Sequence, residues 1–257
     1  MSIHTYQLLK GIGLSEQRVL RLLPDTESLT LEVGAVMWPH GAQRQPLAHI
    51  ITGLVSASVP DHGTGRTPLS IYGPDTWFGE TAMLNRQAST LDYVCLTPTR
   101  VLTISNGEAL DAFQNEPEFA RYIARLVSWR HQQHSEMLAL LKIGGPQLRV
   151  VMGLALFAEA QHSGSSHTPT SSMHGSLEIP LKQLLLASMF CVSRGIISVC
   201  LRELAAAGWL RVNYATVTLT DTQTWGNFAR IYRQEQGNVA KPSMPDILGW
   251  LHQAASA

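Results

Sequence analysis

Hydroxyl and guanidinium side chains recur at about one-turn spacing in the last third of the chain, at Ser193, Arg194, Ser198 and Arg202. If residues 194–207 are helical, this spacing places them on one exposed side of the helix. A guanidinium donates two parallel hydrogen bonds to a guanine edge, and a hydroxyl donates to or accepts from any base. The set therefore indicates a nucleic-acid ligand, and Lys182 adds a nearby cation for a backbone phosphate.

Two helices joined by a tight turn are predicted to position these groups. Apolar residues from Leu181 to Phe190 predict a first helix of about three turns. Cys191 and Val192 form the turn, and Ser193 supplies an N-cap hydroxyl for a second helix that ends before Gly208. The second helix has an apolar face with three- and four-residue spacing, at Ile197, Leu201 and Leu204.

Alternating apolar and polar residues after Gly208 predict a short antiparallel hairpin. Its strands are Leu210 to Val212 and Thr216 to Leu219, with Tyr214 in the connection. Helix, turn, helix and hairpin, from Ile179 to Asp221, form the pattern of a winged helix-turn-helix, whose second helix enters a major groove. An ordinary helical hairpin with an incidental Ser-Arg pair is the structural alternative.

Short strands separated by turn signals dominate residues 28–104 and predict an antiparallel barrel or sandwich, of which we favour the barrel. The strand candidates are His49 to Ile51, Leu54 to Val59, Thr67 to Tyr72, Tyr93 to Leu96 and Arg100 to Ile104. The predicted fold class is accordingly α+β, with an N-terminal β-barrel, a long dimerisation helix and a C-terminal winged helix-turn-helix.

A long amphipathic helix is predicted from Pro117 to Ile143. Its apolar side is close to a heptad seam, with the positions Phe119, Ile123, Leu126, Arg130, Gln133, Met137 and Leu140. We favour a dimer helix, because helix-turn-helix proteins usually bind two half-sites as dimers; a core helix lying on the barrel is the alternative. A hinge at 144–146 then divides the chain into a sensor domain (1–116), a dimerisation helix (117–143) and a DNA-binding domain with a C-terminal extension (144–257).

Two further helices are predicted beyond the hinge, Gln147 to Gln161 and Met244 to Ala254. The polar segment at 162–176 is interpreted as a solvated loop in preference to a metal-binding tract, although it contains His162, His167 and His174. No chemistry is assigned to the tail after Asp221.

Composition limits the function classes. The 257 residues carry no formal net charge, which argues against a nonspecific nucleic-acid coat but not against a regulator with a local cationic surface. Neither a run of 18 apolar residues nor a signal-peptide pattern occurs, so we expect a cytoplasmic protein without a membrane partner. The three cysteines, Cys95, Cys191 and Cys200, are predicted to be buried thiols, with no metal site and no cofactor.

The order of barrel, long helix and winged helix-turn-helix resembles the cyclic AMP receptor protein and fumarate-nitrate reductase regulator (CRP/FNR) family of bacterial transcription factors. The segment from Gly73 to Leu84, with Phe78-Gly79-Glu80, is similar to the family's effector pocket, and the segment from Leu181 to Leu210 is similar to its DNA-binding signature. The resemblance implies a homodimeric regulator of transcription, with double-stranded DNA, an unidentified small-molecule effector and RNA polymerase as partners.

The resemblance also implies an effector pocket. In relatives that bind a cyclic nucleotide, Glu after Gly takes a ribose hydroxyl and an Arg-Ser or Arg-Thr pair holds the phosphate. Without gaps, these positions are Gly79, Glu80, Ser89 and Thr90, so a neutral hydroxyl stands where the family has a cation. Arg86 is an alternative cation, and His134 and Ser135 are the expected base contacts. Standard cyclic AMP control is therefore not expected.

The recognition helix departs from the family as well. Arg194 and Ser198 match the family's run, whereas Gly195 and Val199 replace a carboxylate and a second arginine. The predicted DNA contacts are Lys182, Ser193, Arg194, Gly195, Ser198 and Arg202.

The competing function is a cupin-like metalloenzyme with His40, His49 and Glu80 as metal ligands. No close His-x-His pair supports it, so we expect a protein that is not an enzyme.

Overall fold

The computed structural model describes residues 3–61, 65–163, 175–236 and 241–256. The three predicted loop histidines lie outside the residues whose side chains are described. The chain divides into two compact units, Met1–Gln132 and Gln133–Ala257. The dividing point falls inside the long helix, and the domain limits expected from the sequence stay a prediction.

The first unit combines helices with short strands. Its helices are α1 (Ile3–Gly11), α2 (Glu16–Leu22), α3 (Glu80–Asn85), α4 (Asn106–Asn115) and the first part of α5 (Pro117–Ile143), with a 3-10 turn at Leu23–Asp25. Its strands are β1 (Glu27–Leu31), β2 (Val36–Trp38), β3 (Leu47–Thr52), β4 (Val55–Asp61), β5 (Gly65–Tyr72), β6 (Trp77–Phe78), β7 (Asp92–Cys95) and β8 (Thr99–Ile104). All five strand candidates are confirmed, with ends shifted by up to two residues.

The strands form two antiparallel four-stranded sheets, in the orders β1-β8-β3-β6 and β2-β7-β4-β5. Within the described part of the chain these pairings do not close into one ring, so the predicted barrel is replaced by the sandwich alternative. Residues of both sheets pack between them, including Ile50, Val55, Phe78 and Tyr93. Closing a ring requires continuous pairing between neighbouring strands, and sequence alternation cannot specify that pairing.

Helix α5 has the predicted limits, but the predicted dimer seam is wrong in its first half. Phe119 and Ile123 are fully buried and pack with residues of α1, α2 and α4 in the first unit's outer core, against which Leu126 also packs. Arg130 is buried as well. This face of α5 is therefore a core face, as in the alternative interpretation of the helix.

The second unit contains the rest of α5 and the C-terminal half of the chain. Its helices are α6 (Pro146–Ser163), α7 (Gln183–Met189), α8 (Arg194–Ala206), α9 (Thr222–Ile231) and α10 (Met244–Ala255), with a π-helical turn at Tyr232–Gln236. Its strands are β9 (Leu177–Ile179), β10 (Leu210–Asn213) and β11 (Thr216–Leu219), which form one sheet in the order β10-β11-β9.

The C-terminal tail belongs to the core of the second unit. Trp225 and Phe228 of α9 are fully buried, and α9 packs against α6 and α10. Arg233 binds two carboxylates, Glu136 on α5 at 2.7 Å and Glu159 on α6 at 2.6 Å. These contacts make the tail a structural part of the unit that contains the two predicted DNA-binding helices.

No single described helix has the length and hydropathy to cross a membrane. Among the described helices, α7 and α8 reach the length and apolar composition of a membrane span only when they are counted together, and the chain bends by 108° between them.

Candidate nucleic-acid interface and sensor site

Helix α7, a tight turn and α8 follow one another in the predicted order. Helix α7 has two turns and not three, because Ile179 ends β9 and Leu181 precedes the helix. Cys191 has φ of +49°. Its amide donates to Ser188 O at 3.2 Å, and the Val192 amide donates to Ala187 O at 3.0 Å. This pair of bonds is a Schellman motif, which ends α7 and redirects the chain into α8.

The beginning of α8 is fixed by Ser193. Its hydroxyl oxygen accepts a hydrogen bond from the Ile196 amide at 3.3 Å, as an N-cap residue does. The predicted cap is therefore confirmed, and the Ser193 oxygen is engaged locally. Four side chains of α8 are buried in the core of the second unit, Ile197, Cys200, Leu201 and Leu204.

The opposite side of α8 is open. Every residue of the predicted DNA-contact set is exposed: Lys182, Ser193, Arg194, Gly195, Ser198 and Arg202. Val199 lies on the same face and is 41% exposed. The structure thus places guanidinium, hydroxyl and apolar groups on one accessible strip, and Lys182 at the start of α7.

The hairpin after α8 has the predicted strands. Gly208, with φ of +84°, follows α8, and Trp209 and Thr220 flank the hairpin. The indole of the buried Trp225 donates to Trp209 O at 3.2 Å, and the Thr220 hydroxyl donates to Gly208 O at 2.8 Å. At the tip, Tyr214 is 97% exposed. The hairpin is thereby anchored at its base and accessible at its end.

In the first unit, Gly79 and Glu80 form the start of α3. Gly79 has φ of +98°, and a Cβ there would lie 2.6 Å from Pro46 O, so glycine is required twice over. Glu80 is 3% exposed and forms an ion pair with Arg130 of α5. The carboxylate that the resemblance assigns to an effector therefore has a partner inside the protein.

Arg130, which the sequence placed on the dimer seam, is instead buried inside the first unit. Its guanidinium lies 4.7 Å from the centre of the Tyr72 ring and donates to Trp77 O. Burial by itself lowers the pKa of Arg130, but the Glu80 charge, the hydrogen bond to Glu80 and the nearby Tyr72 and Tyr93 side chains together outweigh burial and raise the pKa above its ordinary value. A charged residue on an otherwise apolar helix face was the available signal, because such a residue requires a buried partner.

A cluster of aromatic rings lies between the two sheets, next to the Glu80–Arg130 ion pair. Trp38, Tyr72, Phe78 and Tyr93 contact one another, with ring centroids 5.2 to 6.5 Å apart. Burial raises the pKa of both tyrosines above the ordinary value, so both remain neutral phenols at physiological pH.

The other predicted pocket residues differ in burial, and their assignment to one pocket stays a prediction. Ser89 is buried, and its hydroxyl donates to Leu91 O at 2.7 Å. Thr90 is exposed, and Arg86 is exposed at the end of α3. His134 and Ser135 are exposed residues in the part of α5 that belongs to the second unit, and their predicted role in a pocket stays a prediction.

Two other expectations are corrected. Cys191 is exposed, unlike Cys95 and Cys200, because the turn between α7 and α8 projects its side chain away from the core.

The metal ligands of the enzyme hypothesis are not brought together: His40 is exposed, His49 lies against Trp77 with ring centroids 5.0 Å apart, and Glu80 binds Arg130. No group of three potential ligands exists among the described residues.

Comparison with known proteins finds bacterial transcriptional regulators, both among curated sequences and among solved structures. No family model matches the chain. Over 220 residues it is 22% identical to the CRP-like cAMP-activated global transcriptional regulator of Mycobacterium tuberculosis, and the match covers 85% of this chain and 95% of the relative.

Solved structures with the same fold include FixK2 from Bradyrhizobium japonicum, with a TM-score of 0.62, 14% identity, and 79% and 96% of the two chains covered. A transcriptional regulator of the CRP/FNR family from Thermus thermophilus has a TM-score of 0.56 and 21% identity, with 79% and 98% covered. The chain thus has the fold of these CRP/FNR-type regulators, and the curated relative that it resembles along most of its length is a transcriptional regulator of the same type.

Proposed function

We propose that the chain is a homodimeric, sequence-specific DNA-binding regulator in which α7, α8 and the β10-β11 hairpin form a winged helix-turn-helix. The observation that carries this proposal is the exposed face of α8, where Arg194, Ser198 and Arg202 stand opposite a fully packed apolar face. An α-helix of this diameter fits a major groove. In this position Arg194 has the donor geometry to bind guanine, and Lys182 and Arg211 are exposed cations for phosphates.

A dimer would present two such helices. We propose that α5 pairs with its counterpart through the exposed face next to the buried seam, at Ala124, Val127, His131, His134 and Leu138. These positions keep the three- and four-residue steps of a coiled coil. Two recognition helices related by a two-fold axis would contact half-sites about one helical turn, or ~34 Å, apart.

The first unit would act as the sensor, under control other than standard cyclic AMP binding. In support of this, Glu80 is engaged by Arg130, and Ser89 offers no cation where a phosphate would need one. A cyclic nucleotide would have to separate a buried ion pair before binding. A signal would then work by favouring one of two conformations of the dimer.

The test begins with an operator obtained by selection from a random DNA pool. At fixed salt, Arg194→Ala is expected to weaken binding to that operator by about 1–3 kcal/mol and to relax the base preference at one position of each half-site. Arg230→Ala, an exposed arginine on α9, is the matched control and should bind like the wild type. Equal operator affinity of the Arg194→Ala variant and the wild type would refute the assignment of α8 as the recognition helix.

A further inference from the structure

Val199 is an apolar residue on the open face of α8. It follows Gly195 by four residues and precedes Arg202 by three, so the three residues form one strip along the helix. Val199 lies about 200° around the helix axis from the fully buried Ile197. Its 41% exposure therefore comes from its place near the middle of the exposed face, not from an imperfectly covered core position.

The neighbourhood of Val199 allows close approach. At Gly195 a Cβ would have only Ser193 Oγ in reach, at 3.9 Å, so no side chain of residue 195 occupies the strip before Val199. The neighbours that share the exposed face are polar or cationic: Arg194, Ser198 and Arg202. The valine side chain has neither a hydrogen-bond donor nor an acceptor, so it cannot form a hydrogen bond with a base edge or a phosphate.

One group in the major groove matches such a side chain. The C5-methyl of thymine is the apolar feature of the groove, and apolar side chains recognise it by direct contact. We infer that Val199 is a specificity-determining residue that contacts a thymine methyl in each half-site. The inference rests on the proposed function, because it requires α8 to be the recognition helix.

Val199 and Arg194 then have different tasks. Arg194 supplies hydrogen bonds to a guanine edge, whereas Val199 excludes water from a methyl group and discriminates against bases that lack one. Valine stands at position 199 where the family has a second arginine, so this position offers an apolar contact in place of hydrogen-bond donors.

The test replaces single thymines of the selected operator by deoxyuridine, which lacks only the methyl group. At one position of each half-site, the wild type should lose about fourfold in affinity for one replacement and about sixteenfold for the symmetric pair, the scale set by burying one carbon group. Val199→Ser should bind thymine and deoxyuridine operators equally. Val59→Ser, on an exposed valine of β4 with 38% exposure, is the matched control and should keep the wild-type discrimination.

Thermal unfolding and the salt dependence of binding to nonspecific DNA show whether Val199→Ser keeps its fold and its phosphate contacts. Wild-type affinity that is unchanged by deoxyuridine at every thymine would overturn the inference while leaving the proposed function in place. Discrimination that persists in Val199→Ser would overturn it as well. Failure of the wild type to select any sequence would instead refute the proposed function, and with it the inference.

Discussion

At the scale of single residues, the ion pair of Glu80 and Arg130 explains most about the first unit. Both side chains are at least nine-tenths buried, and they come from positions 50 residues apart in the chain. A buried charge is tolerated only with a partner, so each residue accounts for the presence of the other. Arg130 also engages the Glu80 carboxylate, which by the family resemblance would bind a cyclic nucleotide.

Glu80→Gln should destabilise the protein by about 3–5 kcal/mol, since it leaves the Arg130 charge buried without its counter-ion. Urea unfolding at pH 7 measures the effect. Glu118→Gln removes a comparable pair with Arg121 on the surface of α5 and should leave the unfolding curve unchanged. Similar unfolding curves for the two variants would show that the buried charge pair contributes no more to the stability of the protein than the surface pair does.

His49 makes stability depend on pH. Burial, and then the nearby charge of His4, lower its pKa to about 4. The pKa in an unfolded chain is about 6.5. As the pH falls from 6.5 to 4, the unfolded chain binds a proton that the folded protein does not, so stability is lost over this window, by about 2–3 kcal/mol at pH 4.5. Asp75, whose carboxylate is 3.9 Å from the His49 ring, is the acidic group facing it.

The measurement is the free energy of unfolding of the wild type and His49→Gln between pH 4.5 and 7.5. The difference between the two proteins should diminish towards acid pH, because the variant lacks the titrating ring. His252→Gln, on an exposed histidine of α10, should keep the wild-type pH dependence. A pH-independent difference between wild type and His49→Gln would show that His49 titrates normally.

At the scale of secondary structure elements, the contact between α6 and the end of α7 fixes the base of the two-helix motif. A Cβ at Gly153 of α6 would lie 2.1 Å from Cε1 of Phe190, which is fully buried. The Phe190 ring thus packs directly on the backbone of α6. Arg149 of the same helix donates to Cys191 O at 3.2 Å, so α6 contacts both Phe190 at the end of α7 and Cys191 in the turn.

Gly153→Ala is expected to destabilise the second unit by about 1–3 kcal/mol, because the added methyl displaces the Phe190 ring. Gly249→Ala in α10 is the matched change, since nothing lies within 4 Å of its Cβ position. It should stabilise the protein by up to about 1 kcal/mol through helix propensity. Thermal unfolding distinguishes the two signs, and stabilisation by both changes would contradict the described packing.

At the scale of the whole molecule, the proposed regulator depends on pairing of two chains through α5. Leu138 is 54% exposed on the face that we assign to the dimer. Covering this large apolar side chain with a second copy of the chain removes it from water, and this stabilises the dimer.

Leu138→Glu should convert the dimer to a monomer in sedimentation velocity, because it places like charges opposite each other in a closed two-fold interface. The control is Leu20→Glu on α2, where the leucine is 57% exposed, and this variant should remain dimeric. A dimer that tolerates Leu138→Glu would place the interface elsewhere and would remove the proposed role of the exposed α5 face.

How much the sequence predicted depends on the range of the interactions involved. The limits of α5, the start of α8 and both hairpin strands follow from periodicity, caps and turn residues within a few positions. Helix α4 was missed although its signal is local: Ser105 accepts from the Glu108 amide at 3.3 Å, three residues later. The short helices α1 and α2 were missed because they carry little periodic pattern of their own.

The sequence by itself determined the order of the five candidate strands, α5, the two-helix motif and its hairpin, as well as the composition of the α8 face, since these depend on neighbours within about one helical turn. Only the tertiary structure decided that the strands form two sheets, which face of α5 is buried, and that Arg130 binds Glu80. These outcomes depend on contacts between segments far apart in the chain. Many such pairings are compatible with the same local pattern, and packing of the complete core selects one of them.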